Sequence, residues 1–97
     1  MFKDRRLLSQ AEIDEFLNSH SDWTFNNDGI EKELKFKYYM DSIDFINKIA
    51  IKAEELNHHP DMTVGWCNIL IRFSTHDLDG LSTYDLKMAE ATNNILG

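Results

Sequence analysis

The chain has 97 residues, a formal net charge of −7 and an apolar fraction of 42%, which fits one domain over residues 1–97 with a modest core. That acidic balance excludes a nucleic-acid surface and disfavours anionic lipid, because both need clustered Lys and Arg, and the one basic group, Lys3, Arg5 and Arg6, reads as a solvated N-terminus. The lone Cys67 excludes an internal disulfide, and no run of about 18 apolar residues is present to span a bilayer.

Ser9, with Glu12 three residues on, forms the pattern of a capping box and predicts a helix start. Ile13, Phe16 and Leu17 then give an apolar stripe at helical spacing, ending near Asn18 to His20, with His20 expected to be exposed. Trp23 to Asn26 reads as a short strand, and Asn27-Asp28-Gly29 as a turn, since these residues tolerate positive φ. From Ile30 to Tyr38 the pattern alternates. Leu34, Phe36 and Tyr38 share one face, while Glu33, Lys35 and Lys37 share the wet one.

Asp41 or Ser42 is expected to cap a second helix that reaches about Asn57, with Phe45, Ile46, Ile49, Ala50, Ala53 and Leu56 on its buried side. Pro60 forbids continuation and pushes His59 out of the α region. A hairpin follows: Met62, Val64 and Trp66 alternate, then Ile69, Ile71 and Phe73, with the turn expected at Cys67 and Asn68. Ser82 with Asp85 repeats the capping pattern and opens a last helix with Leu86, Met88, Ala89, Thr92, Ile95 and Leu96 on its apolar side. The order α-β-β-α-β-β-α without βαβ alternation predicts an α+β fold. Its simplest form is a four-stranded antiparallel sheet with three helices on one face.

Three of the four histidines fall with carboxylates in one set: Glu54, His58, His59, Pro60, Trp66, His76 and Asp85. Imidazole is the side chain whose ordinary pKa lies nearest neutrality, so such a set points to proton transfer. Helical spacing puts Glu54 and His58 on one face, where the carboxylate would fix the ring's tautomer. A hairpin turning at Cys67-Asn68 would set Trp66 opposite Ile69, Met62 opposite Phe73, and His59 level with His76. Asp85 sits in the first turn of the last helix, a favourable place for an anion. Each residue alone reads as ordinary: a polar helix exit, a capping Asp, a core Trp. A zinc site from His58, His59 and His76 is the weaker reading, because neighbouring side chains at a helix end diverge and the usual i, i+4 pair is absent.

Taken together, Glu54, His58-His59-Pro60, Trp66, Ser74-Thr75-His76-Asp77, Gly80-Leu81-Ser82 and Asp85 resemble the pterin-4a-carbinolamine dehydratases over roughly Leu7 to Ile95. Met62, where many members carry an aromatic, and Gly65, within a strand, depart from that pattern. The resemblance implies the fold just described and loss of water from 4a-hydroxytetrahydropterin to give quinonoid dihydropterin, without a metal or redox cofactor. It implies His58 and His76 as the acid–base pair, His59 binding the pterin, Asp85 orienting His76 and Glu54 orienting His58. His58 to Pro60 and Thr75, His76, Asp77 and Leu78 would line the substrate site. By the same resemblance the chain would form a homodimer or homotetramer. Some animal members also serve as dimerisation cofactors of a transcription factor, the competing reading. The expected compartment is the cytoplasm, with the nucleus as the alternative under that second role.

Overall fold

A computed structural model describes residues 4–97; Lys3 lies outside them. Helix α1 (Gln10–Ser19) begins as its sequence requires. Glu12 N–H donates to Ser9 Oγ at 3.2 Å, and Ser9 N–H donates to Glu12 Oε1 at 2.9 Å. Arg6 adds two guanidinium bonds to the same carboxylate, at 2.8 and 2.7 Å, so it is a helix-cap partner and not a free N-terminal charge. His20 closes the helix, stacked on Phe16 with ring centroids 4.4 Å apart. It is half-buried rather than exposed.

Arg6, then the Ser9 N–H, hold the Glu12 carboxyl at about 2, well below its ordinary 4.5. A depressed carboxylate contributes stability in full above its unfolded value and loses it as pH falls through its folded value. The cap of α1 is therefore expected to weaken only between pH about 4.5 and about 2. An NMR titration of the Glu12 carboxyl checks this: the midpoint should lie near 2 and rise in Arg6→Ala.

Strands β1 (Thr24–Asn26) and β2 (Gly29–Lys35) form a hairpin through Asn27 and Asp28. Both turn residues have positive φ, 46° and 61°. Strand β2 stops at Lys35, short of the expected Tyr38, because Tyr38 becomes the N-cap of helix α2 (Tyr39–Leu56). The helix thus starts before Asp41 and Ser42. Ser42 is buried inside its first turn and donates to the Tyr39 carbonyl at 2.6 Å. Tyr38 is 60% exposed instead of sharing the core with Leu34, and Ala50 faces solvent.

Strands β3 (Asp61–Val64) and β4 (Asn68–Phe73) complete an antiparallel sheet of order β1-β2-β4-β3. Their register differs from the expected one by two residues: Met62 faces Ile71 and Val64 faces Ile69. The turn is Trp66-Cys67, closed by Gly65 N–H to the Asn68 carbonyl at 2.8 Å. Asn68 folds over Gly65, where a Cβ would stand 2.2 Å from its Oδ1; this close approach explains a glycine just past the end of β3, where the sequence pattern had placed it within a strand. Because the slip is even, each side chain keeps its face. Ile30 and Leu34 of β2 join Ile69, Ile71 and Phe73 of β4 in the core.

Helix α3 (Thr83–Leu96) opens with the second capping box, Ser82 and Asp85. The three helices cover one face of the sheet. Ile13 and Phe16, Phe45 and Ile49, and Met88 and Ala89 are their buried contributions. The N-terminal segment runs antiparallel beside the start of α3: Leu8 N–H donates to the Leu81 carbonyl at 2.9 Å and Thr83 N–H to the Arg6 carbonyl at 3.0 Å. No helix is long and apolar enough to cross a membrane among the described residues.

Candidate active site

The end of α2, the residue before a 3₁₀ turn after β4 (His76–Leu78) and the start of α3 meet at Asp85. Asn57 makes that convergence possible. It adopts the left-handed conformation (φ 50°, ψ 45°) that ends α2, a role Asn fills well. The next residue, His58, donates its backbone N–H to the Ala53 carbonyl at 3.0 Å. Its ring is turned inward and only 8% of the residue is exposed.

There Nε2 of His58 meets Asp85 Oδ1 at 2.6 Å, across 27 residues of chain. Asp85 is fully buried. Its other oxygen, Oδ2, accepts from Thr75 Oγ1 at 2.7 Å and from Ser82 N–H at 2.9 Å. Thr75 and Ser82 hydroxyls lie 2.7 Å apart. Since Thr75 spends its proton on Asp85, Ser82 must donate to Thr75, and Ser82 Oγ then accepts from Tyr84 N–H at 3.2 Å. Every partner of the buried carboxylate is thus accounted for, as burial requires. The carboxylate accepts, so His58 carries its proton on Nε2 and offers Nδ1 as its basic nitrogen.

His59 points the other way. It is exposed, and its Nε2 is hydrogen-bonded to Glu54 Oε2. His76 opens the 3₁₀ turn directly after Thr75 and is also exposed. Its Nε2 lies 3.5 Å from Ser74 Oγ, at the limit of a hydrogen bond. So one imidazole, His58, is buried and fixed, while its chain neighbour His59 and His76, which follows the Asp85 partner Thr75, are open to solvent. That combination can hold one tautomer firmly while presenting two imidazoles to a ligand from solvent. Among the described residues no three His, Cys, Asp or Glu side chains are arranged to hold a metal ion.

Both expected carboxylate pairings are corrected. Glu54 holds His59, not His58, because the left-handed Asn57 breaks helical phase before His58 is reached. Asp85 holds His58, not His76. The shifted hairpin register also removes the expected alignment of His59 with His76; the line from His59 leads to Ser74. Trp66 sits at the hairpin turn, 81% exposed, and is not brought to the histidines. Pro60 and Leu78 flank the set, each half-buried.

Arg5 is the residue missed from sequence. Its Nη2 donates to Asp77 Oδ1 at 2.6 Å, and its guanidinium lies 5.9 Å from the Tyr84 ring centroid. Tyr84 in turn meets the His58 ring edge-on at 6.0 Å. The hydrogen bond from Arg5 is the main cause that holds the Asp77 carboxyl below its ordinary range. A basic residue near a chain start carries no local sign of a partner 72 positions away. Arg5→Gln is expected to let the Asp77 carboxyl titrate higher, which carboxyl-detected NMR reads directly.

Residues 6–95 match the family model described as pterin 4 alpha carbinolamine dehydratase. A chain from Prochlorococcus marinus strain NATL2A, 32% identical, aligns over 93% of this chain and 95% of its own length. One from Haloarcula marismortui, 38% identical, aligns over 92% and 95%. Both are named, as an inferred assignment, pterin-4-alpha-carbinolamine dehydratase. The crystal structure of a transcriptional coactivator/pterin dehydratase from Brucella melitensis superposes with a TM-score of 0.90 at 29% identity, covering 95% of this chain and all of that one.

Proposed function

The chain belongs to the pterin-4a-carbinolamine dehydratase family, and from that premise we propose that it removes water from 4a-hydroxytetrahydropterin to give quinonoid dihydropterin by histidine acid–base catalysis. The 4a-hydroxyl takes a proton and leaves C4a as water, while the N5 proton passes to a base. Protons are conserved and no electrons are exchanged with another reactant. Both transfers favour groups whose pKa lies near the working pH, and imidazole is the natural choice.

The observation that supports this most is the buried His58–Asp85 pair beside two exposed histidines. His58 would accept the N5 proton through Nδ1. His76 would protonate the departing hydroxyl. His59, steadied by Glu54, would bind the pterin together with Pro60, Thr75, Asp77 and Leu78. Asp85 acts through His58, so it positions rather than reacts.

The test mixes the protein with freshly generated 4a-carbinolamine and follows quinonoid product in the presence of a chelator. Acceleration that persists in chelator and is lost in His58→Ala and His76→Ala supports the reading. Activity abolished by chelator and restored by zinc overturns the metal-free scheme. The double name of the Brucella structure supports a second reading, a protein-binding role; a normally folded protein without acceleration would put it first. The self-association implied by family resemblance, as dimer or tetramer, is tested by sedimentation, and the cytoplasmic assignment by fractionation of the source cell.

A further inference from the structure

The His76 ring makes one side-chain hydrogen bond among the described residues, to Ser74 at the limit of length. Its place is therefore set by the backbone of the turn it opens. That turn closes on itself: Thr75 N–H donates to the Gly80 carbonyl at 3.1 Å, and Asp79 N–H to the His76 carbonyl at 3.1 Å. The two neighbours of His76 in the chain anchor it on either side. Thr75 binds the buried Asp85, and Asp77 receives the bond from Arg5. We infer that Arg5 is a positioning residue for His76: the N-terminal segment, Asp4 to Leu8, straps across the start of α3 and holds the outer side of the turn through Asp77, a role that rests on the dehydratase reading.

An exposed ion pair as such contributes little, because ordering two long side chains cancels most of the attraction. This pair differs in that Arg5 is ordered beforehand. Both of its neighbours are pinned. Thr83 Oγ1 donates to the Asp4 carbonyl at 2.6 Å, and Lys87 Nζ lies 2.8 Å from Asp4 Oδ2. Arg6 is held by both oxygens of Glu12 and, through its carbonyl, by Thr83 N–H. Leu7 then packs against Gly80 at the close of the turn, where a Cβ would stand 3.3 Å from Leu7 Cδ2.

The guanidinium itself rests near the ring of Tyr84, 5.9 Å from the centroid, and only 31% of the Arg5 side chain is exposed. Tyr84 is buried in the first turn of α3. Arg5 is thus fixed to the same helix start that holds Thr75 through Asp85 and Ser82. A rigid donor on one side and a buried carboxylate on the other leave the residue between them little freedom. An exposed group that must meet a reacting atom gains from such support, since small misplacements are costly in rate.

The test follows 4a-carbinolamine dehydration by the full chain. In Arg5→Gln kcat should fall about tenfold, short of the roughly 10²-fold cost of a full ångström of misplacement, while KM changes much less. Arg5→Lys, which restores the cation, should recover most of the loss. Lys87→Gln removes another ion pair of the same strap and should leave kcat unchanged. The deciding comparison is made without the acid. In His76→Ala, adding Arg5→Gln should slow the reaction no further, because a residue that acts through His76 then has nothing to position. Amide hydrogen exchange needs no substrate: the Leu78 and Asp79 N–H groups, which donate within the turn, should exchange faster in Arg5→Gln while those of β4 stay protected. An unchanged kcat in Arg5→Gln, a loss confined to KM, an equal loss in Lys87→Gln or in the His76→Ala background, or unchanged exchange in the turn overturns the positioning role. A wild-type protein that does not accelerate dehydration overturns the dehydratase reading, and this role with it, whatever the exchange shows.

Discussion

Asp85→Ala is expected to cost the fold about 3–5 kcal/mol, because three buried donors lose their acceptor, and to lower turnover about 10²–10⁴-fold. Asp85 is completely buried and accepts three hydrogen bonds: from His58, Thr75 and the Ser82 backbone. Alanine leaves all three donors facing a void, and unsatisfied buried donors cost about 1–3 kcal/mol each. It also removes the N3 half of the α3 capping box. Urea unfolding reads the stability and quinonoid formation reads the rate.

Loss of activity in an unstable protein would not separate positioning from folding, so Asp85→Asn is the sharper variant. Its one amide oxygen can still accept from Thr75 and Ser82. Its NH₂ group then faces His58 Nε2, which can no longer donate. The imidazole must move its proton to Nδ1, the nitrogen proposed to take the N5 proton. Stability should fall by only about 1–2 kcal/mol, one strained hydrogen-bond contact, while kcat falls as far as in His58→Ala. The acidic limb of the pH–rate profile, where the base becomes protonated, should disappear in both. A fully active Asp85→Asn would show that the tautomer of His58 plays no part, and would confine Asp85 to holding α3 in place.

The same residue shows what could and could not be read along the chain. Ser9 with Glu12 and Ser82 with Asp85 are local patterns, and both are capping boxes in the structure. The second function of Asp85, as acceptor for a histidine 27 residues earlier, has no local signature. Which histidine it would meet depended on one dihedral: Asn57 at φ 50° takes His58 out of helical phase, so Glu54 meets His59. A short Asn-containing exit before His-His-Pro is compatible with either outcome.

The hairpin makes a similar point. Asn68 is a good turn former, yet its side chain packs over Gly65 and the turn moves to Trp66-Cys67. Alternation of apolar residues determines the face but not an even slip in register. Hence the sheet, its buried face and the grouping of His58 and Asp85 were accessible from pattern, whereas the partners within the group were not. Arg5–Asp77 lies furthest from any pattern, because exposed ion pairs leave no periodic trace in a sequence.

His76→Ala should behave in the opposite way to Asp85→Ala. His76 is exposed and the one side-chain hydrogen bond it has among the described residues, to Ser74, is at the limit of length. Surface substitutions of this kind usually change stability by no more than about 0.5 kcal/mol. If His76 protonates the departing hydroxyl, kcat should nevertheless drop by about 10²–10⁴, with KM changed far less, since the interaction exists mainly in the transition state. The basic limb of the pH–rate profile, where the acid loses its proton, should vanish. A substrate with a better leaving group at C4a should recover part of the loss, because the missing proton matters less. The doubly substituted His58→Ala/His76→Ala protein should be slower by less than the product of the single effects, as expected when two residues serve one event. If instead His59→Ala abolishes turnover while His76→Ala leaves kcat intact, the acid is His59. The hydrogen bond from Glu54 would then set its tautomer as Asp85 sets that of His58.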